Sequence, residues 1–154
     1  MRWRQGLSLI ELILLLAVLG VALTLSAGLL NPSRQAVNQA AQSLAAQVTR
    51  ARLEAIRRNE FVGLRFSAQG AGQYEVFVDT NRDGAPDAVL QTVAFGQGDW
   101  GRVRLTQVQG ANPFLFDTRG IPKEFAETAV TLSDRQGTYS KTVRISPQGR
   151  AEVR

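Results

Sequence analysis

Residues 7–30 are almost uninterruptedly apolar, broken only by Ser8, Glu11, Gly20, Thr24, Ser26 and Gly28. A stretch with no polar face reads as a helix buried all round; 24 residues rise about 36 Å, enough for a hydrocarbon core of ~30 Å. Beyond Pro32 the pattern changes. Residues 33–59 are rich in Ala, Gln and Arg, and Val37, Ala41, Leu44, Val48, Ala51 and Ala55 recur three and four apart, with Ala45 and Ile56 widening the stripe. That spacing predicts a helix with one face to bury, capped by Ser33 and ending in arginines that suit its dipole. After Glu60 the period falls to two.

Segments 61–66 and 73–79 alternate apolar and polar residues around Gly70 and Gly72, which predicts a hairpin. Segments 88–95, 103–108, 114–117, 128–133, 138–146 and 150–153 follow as strands, separated by turn-forming residues. The expected class is α+β, with a long N-terminal helix, half transmembrane and half amphipathic, packed on an antiparallel β-sheet. The chain then divides into a leader (1–6), a transmembrane or assembly helix (7–30), the amphipathic half of the helix (31–59) and a β-rich head (60–154).

Composition narrows the chemistry. With no Cys and no His, Cys/His metal sites, thiol chemistry and His-activated nucleophiles are excluded. Asp117, Glu124 and Glu127 sit in a turn-rich segment beside Gly120 and Pro122 and read as surface carboxylates, so no enzymatic activity is expected. Net charge is +5, carried by sixteen Arg and two Lys. Arg2 and Arg4 precede the apolar run and place that end in the cytoplasm, with the remainder facing outward.

Glu11 is the anomaly. A carboxylate within a span costs about 2.5–3.5 kcal/mol at mid-bilayer and less near the interface, so it calls for a partner. A cut after Gly6 would give Leu7 a free α-amino group one helical turn from Glu11, able to pair within the chain or with Glu11 of a neighbour. Two plainer readings compete: a secretory signal cut near residues 26–28, and a single-span anchor with an incidental acid. Glu11 inside the apolar region argues against the first.

Gly6, the subsequent Leu7-Ser8-Leu9-Ile10-Glu11-Leu12 and the long apolar run resemble the class III signal of type IV pilins and pseudopilins. The resemblance implies that prepilin peptidase cuts between Gly6 and Leu7, that Leu7 becomes N-methylated, and that Glu11 is the assembly carboxylate. Leu7 and Ser8 stand where Phe and Thr are commoner. Gly28 and Pro32 share the helix-breaking role that a proline fills in many pilins. The stretches "VFVDTNRDGAPD", "FDTRGIP" and "VRISPQGR" are similar to H-type minor pseudopilins and to FimT- and FimU-like minor pilins. This second resemblance implies a minor subunit held first in inner-membrane lipid, single-pass, with a periplasmic head. It then joins other pilins or pseudopilins in a helical fibre, a type IV pilus or type II secretion pseudopilus, which it helps to initiate or cap.

Two further constellations remain open. Asp79, Asn81, Asp83 and Asp87 occupy positions 1, 3, 5 and 9 of an EF-hand-like loop with Gly84 at position 6, which makes calcium a candidate ligand. Position 12 is Leu90 where a Glu normally sits, and the flanks read as strands, so a hairpin turn capped by Asp79 or Asn81 is the alternative. The terminal strands carry Arg144, Arg150 and Arg154. Some FimT-like pilins bind DNA through a C-terminal Gly-Arg-x-Arg; here Gly149-Arg150 runs into Ala151-Glu152 and the second arginine is displaced to Arg154. DNA and a solvated basic edge are the two readings. Loss of Arg2 and Arg4 with the leader would lower the net charge from +5 to +3.

Overall fold

In the computed structural model, residues 8–27 and 31–154 are described, with side chains given for 8–21 and 31–154. The chain forms two compact units, 1–32 and 33–154. The first contains α1 (Leu9–Ala27). Its described apolar side chains all lie exposed, from Leu9 at 76% and Ile10 at 73% onward. Its 19 residues rise about 28 Å, and among the described residues no helix is long and apolar enough to cross a membrane. The remainder of the expected apolar run, with the expected break at Gly28, falls on residues outside those described, as do Gly6 and Leu7.

The second unit is built on α2 (Pro32–Arg58). Pro32 opens the helix, where its missing N–H is not needed, and no Gly or Pro interrupts it to Arg58. It closes in a Schellman motif. Asn59 takes φ 55, its N–H donates to the Ile56 carbonyl, and the Glu60 N–H reaches back to the Ala55 carbonyl, both at 3.3 Å. The predicted stripe is the buried face: Val37, Ala41, Leu44, Val48 and Ala55 are fully buried, with Ala40 and Ala51 nearly so. Ala45 packs at its margin, but Ile56, expected to widen the stripe, stays 48% exposed.

The expected strands form two four-stranded antiparallel sheets rather than one. The first contains β1 (Phe61–Ser67), β2 (Gln73–Asp79), β3 (Ala88–Ala94) and β5 (Phe114–Phe116), in the order β3-β2-β1-β5. The second contains β4 (Val103–Gly110), β6 (Thr128–Asp134), β7 (Ser140–Ile145) and β8 (Ala151–Val153), in the order β4-β6-β7-β8. The division follows from where β5 goes: it returns to β1, pairing Val62 with Phe116 and Leu64 with Phe114, and so leaves β4 to pair with β6. One rung further along, the Asn112 side chain continues the β1 ladder. Its Oδ1 accepts from the Phe66 N–H at 2.9 Å and its Nδ2 donates to the Phe66 carbonyl at 2.8 Å. The β1–β2 turn joins the sheets, because the Leu105 N–H of β4 donates to the Ala71 carbonyl at 2.9 Å.

One core results. Val62, Leu64 and Phe66 of β1, Tyr74 and Val76 of β2, Leu105, Val130, Leu132 and Val143 from the second sheet, and the α2 stripe belong to a single buried cluster. Burial raises the Tyr74 hydroxyl to about 12 against the opposing effects of Ser43 and Arg50. On the far face of the first sheet, Gly63 leaves room for Phe77 and Leu115, since a Cβ there would lie 2.7 Å from each. Arg65 covers the Phe77 ring at 5.4 Å.

All core residues belong to the unit 33–154, so the head is expected to fold without α1. In that fragment Leu44→Ala should cost about 3 kcal/mol, while Leu53→Ala, at a 60% exposed position of the same helix, should stay within about 0.5 kcal/mol. Urea denaturation of the two variants checks the assignment of the buried face. Equal losses would contradict it.

Candidate functional site

The residues singled out by sequence fall at three separate places. Glu11 lies in the first turn of α1, where the Leu12 N–H donates to the Ser8 carbonyl at 3.0 Å, and its side chain is exposed. A carboxylate suits a helix N-terminus electrostatically. Around it Leu9, Ile10, Leu12 and Ile13 are exposed as well, so the acid stands in an otherwise oily surface.

The second place is the β2–β3 connection. Asp79 is fully buried and accepts from two backbone N–H groups, Asp83 at 3.1 Å and Gly84 at 3.0 Å. Asp87 Oδ2 accepts from the Thr80 N–H at 2.7 Å and the Asn81 N–H at 3.1 Å. Asp83 accepts from the Ala85 N–H at 2.7 Å and from Asn81 Nδ2 at 3.0 Å. The four residues proposed as calcium ligands are thus brought into one loop, where they satisfy its backbone donors, the role given to Asp79 and Asn81 by the turn reading. Among the described residues no group of three or more acidic side chains is placed to hold a metal ion.

The third place gathers Arg144, Arg150 and Arg154 around a recess of about 140 Å³, together with Glu127, Glu152 and Ser146. Register explains the meeting, since Arg144 of β7 stands opposite Glu152 of β8. Two of the three cations already have carboxylates. Arg144 pairs with Glu127, its Nε at 2.6 Å, and Arg154 lies 3.7 Å from Glu152. The Arg150 backbone N–H donates to Ser146 Oγ at 3.2 Å. Glu127 could not be joined to Arg144 by sequence, because seventeen residues separate them and only strand register makes them neighbours. A larger recess of about 300 Å³ lies between α2 and β2–β3, where Gln47 Nε2 donates to Gln91 Oε1 at 2.7 Å.

Three further carboxylates, Asp117, Asp134 and Glu54, hold turns or helix pairs. Asp117 Oδ1 accepts from the Arg119 and Ile121 N–H groups at 2.9 and 2.8 Å. Burial pushes its carboxyl up, but these backbone bonds and the Arg119 guanidinium outweigh it and leave it below its ordinary value. Asp134 is held low first by the Thr138 hydroxyl at 2.7 Å, then by the N–H groups of the β6–β7 turn. On α2, hydrogen bonds from Arg57 and then Arg58 lower Glu54 to about 2, a surface network of helix-supporting pairs.

The loop and the ion can be separated experimentally. Asp79→Ala in the head fragment should cost about 3 kcal/mol through two lost charge-assisted bonds. Chelation of calcium should leave the wild-type melting temperature unchanged, because the loop's carboxylates already have donors. A rise of several degrees with millimolar calcium, absent in the variant, would instead make the loop an ion site.

Comparison with known proteins gives the arrangement its context. Residues 40–149 match the family described as Type II transport protein GspH. The chain is 50% identical over 155 residues to PilA1, a pilin-like protein of Thermus thermophilus, with 97% of this chain and 98% of that protein covered. Its fold is similar to that of FimU, a type IV minor pilin of Pseudomonas aeruginosa, in two crystal forms. The TM-scores are 0.58 and 0.55 at 18% identity, covering 79% and 76% of this chain and 90% and 91% of FimU. The chain belongs to the GspH family and is a minor pilin or pseudopilin, with an α+β fold of helix packed on antiparallel sheets.

Proposed function

We propose that the chain is an assembly subunit that enters a type IV pilus or type II secretion pseudopilus and helps to initiate or cap it. In this reading prepilin peptidase cuts between Gly6 and Leu7 and the new terminus is N-methylated. Until incorporation the apolar run rests in the inner membrane, with the head in the periplasm. The work is assembly, with no reaction of its own. The observation that carries it is α1, oily around its described circumference and bearing a carboxylate, Glu11, in its first turn. Such a helix needs a nonaqueous surrounding, and lipid or neighbouring helices provide one. Charge burial then selects between them: a neighbour's terminal amine offsets the cost of Glu11 where lipid does not.

A second reading, DNA capture for uptake, draws on the convergence of Arg144, Arg150 and Arg154. Glu127 and Glu152 stand among them and reduce the attraction for phosphate.

Full-length Glu11→Ala should fold and be cleaved normally, yet its fraction in sheared fibres should drop about tenfold, as expected for a lost contact of about 1.4 kcal/mol. Undiminished incorporation would remove the carboxylate from the mechanism. Mass spectrometry of the mature chain should find methylated Leu7, whereas a start near Ala27 would mark a secretory signal. For the second reading, gel shifts of the head should weaken in Arg150→Glu/Arg154→Glu, with a shallower salt dependence. Binding indifferent to both changes would dismiss that surface.

A further inference from the structure

The four sheet margins differ in how they are closed. β5 is only three residues long, and the chain that follows takes its outer side: the Asp117 N–H donates to the Ile121 carbonyl and the Lys123 N–H to that of Leu115, both at 2.8 Å. β8 is equally short and bears Glu152, with Arg150 and Arg154 flanking it. β4 carries Arg104 and gives its Leu105 N–H to Ala71. Shortness, cover and charge are the usual protections of a strand edge. β3, at the other margin of the first sheet, has none of them. It is seven residues long, and no charged residue or proline occurs from Ala88 to Gly98.

Its one irregularity is a bulge. Val76 pairs with Gln91 and Phe77 with Val89, so Leu90 is the extra residue, and the ladder is regular from Gln91 to Ala94. The Phe95 N–H donates to the Gly72 carbonyl at 2.9 Å. By alternation Val93 and Gln91 bond toward β2, while the N–H and C=O groups of Thr92 and Ala94 point away from it. Among the described residues nothing receives them. Peptide donors and acceptors repeating every two residues are matched by another extended polypeptide, whereas nucleic acid and lipid lack that repeat.

The bulge also lets two adjacent residues, Leu90 and Gln91, line one recess, that of about 300 Å³ against α2. Its buried lining is Ala51, Val76 and Gln47, whose amide already donates to Gln91 at 2.7 Å, so the floor suits an apolar side chain. The charged Arg50, Glu54 and Arg58 line it with exposed or half-buried side chains. A second copy of the chain does not fit both features. Antiparallel pairing that satisfies both outward residues sets Thr92 against Ala94 of the copy and brings the copy's Phe95 and Gly96 beside Gln91 and Leu90. Phe95 is buried against Tyr74 in its own core and Gly96 has no side chain, so the recess would be roofed over as a void.

We propose that the β3 edge accepts an extended segment of a different fibre subunit, which pairs antiparallel with Thr92 and Ala94 and seats an apolar side chain in the recess beside Leu90. The proposal rests on the assembly reading and gives the chemistry of the partner: a strand that adds to the first sheet through its backbone and is selected by one large apolar residue.

The test places photoreactive p-benzoylphenylalanine at position 92 of the full-length chain, in cells that assemble the fibre. Illumination should yield one dominant adduct with another subunit, at a peptide carrying a large apolar residue. Ala94→Pro removes an outward N–H and spares the bonds to β2. It should leave the melting temperature of the purified chain within a few degrees and cut the adduct about tenfold. Leu90→Lys, at a 37% exposed position, tests the recess without touching the backbone and should lower the adduct to a similar extent. An adduct insensitive to either change, an adduct with a second copy of this chain, with nucleic acid or with lipid, or a yield no higher than with the reporter at exposed Ala68 overturns the proposal. The fraction of chain in fibres, measured in the same cultures, separates the two levels. Chain in the fibre without the adduct defeats the β3 edge alone, and chain absent from the fibre defeats the assembly reading and this one with it.

Discussion

Burial of one stripe of α2 is the constraint from which the head's architecture follows. Val37, Leu44 and Val48 are wholly buried, and at about 1.5–3 kcal/mol for each large apolar side chain they contribute an amount comparable to the net stability of a whole domain. The alanines between them, Ala40, Ala41, Ala51 and Ala55, are also buried. They let the helix approach closely enough for both sheets to share one core, to which β1, β2 and β5 contribute from one side and β4, β6 and β7 from the other. Short connections tie the sheets together where they meet. The helix face, the pairing of β5 with β1 and the backbone bonds of the β1–β2 turn are therefore parts of one packing solution.

The N-terminal unit poses the opposite problem. Head residues bury their apolar surface against one another, but α1 has its described apolar side chains exposed and must be satisfied from outside. A helix of this kind carries no information about which neighbour it should choose, because dispersion contacts among leucines are nearly interchangeable. In the assembly we propose, charge supplies the discrimination. One carboxylate in an oily surface costs little while it stays wet and much once it is covered without a cation, so Glu11 penalises every packing register that leaves it unmatched. In that proposed assembly, anchoring and selection are carried by different groups of the same helix.

Much of this was legible in the sequence, for reasons that residues make plain. Period three-and-four picked out Val37 to Ala55 because only a helix brings those positions onto one face, and period two placed β2 at its observed bounds, Gln73–Asp79. The grouping of strands was not legible, since the choice of β1 rather than β4 as the partner of β5 depends on pairing across about fifty residues. Ile56 carried the right spacing but lies at the margin of the stripe, where the final turn of α2 runs past its cover. In the 79–87 loop, composition could not separate a cation site from a turn, because both need oxygens converging around a glycine. In the structure backbone N–H groups occupy the carboxylates of Asp79, Asp83 and Asp87, an arrangement that composition does not specify.

The same inward turn bears on how the surface is charged. Acids that cap neutral backbone donors keep their charge, so Asp79, Asp83 and Asp87 leave the loop around Arg82 acidic. At the C-terminal strands the reverse holds: Glu127 and Glu152 face outward to Arg144 and Arg154, and the cluster is partly self-neutralised. A polyanion would therefore meet a mixed surface at the C-terminal strands and an acidic loop at Asp79 to Asp87.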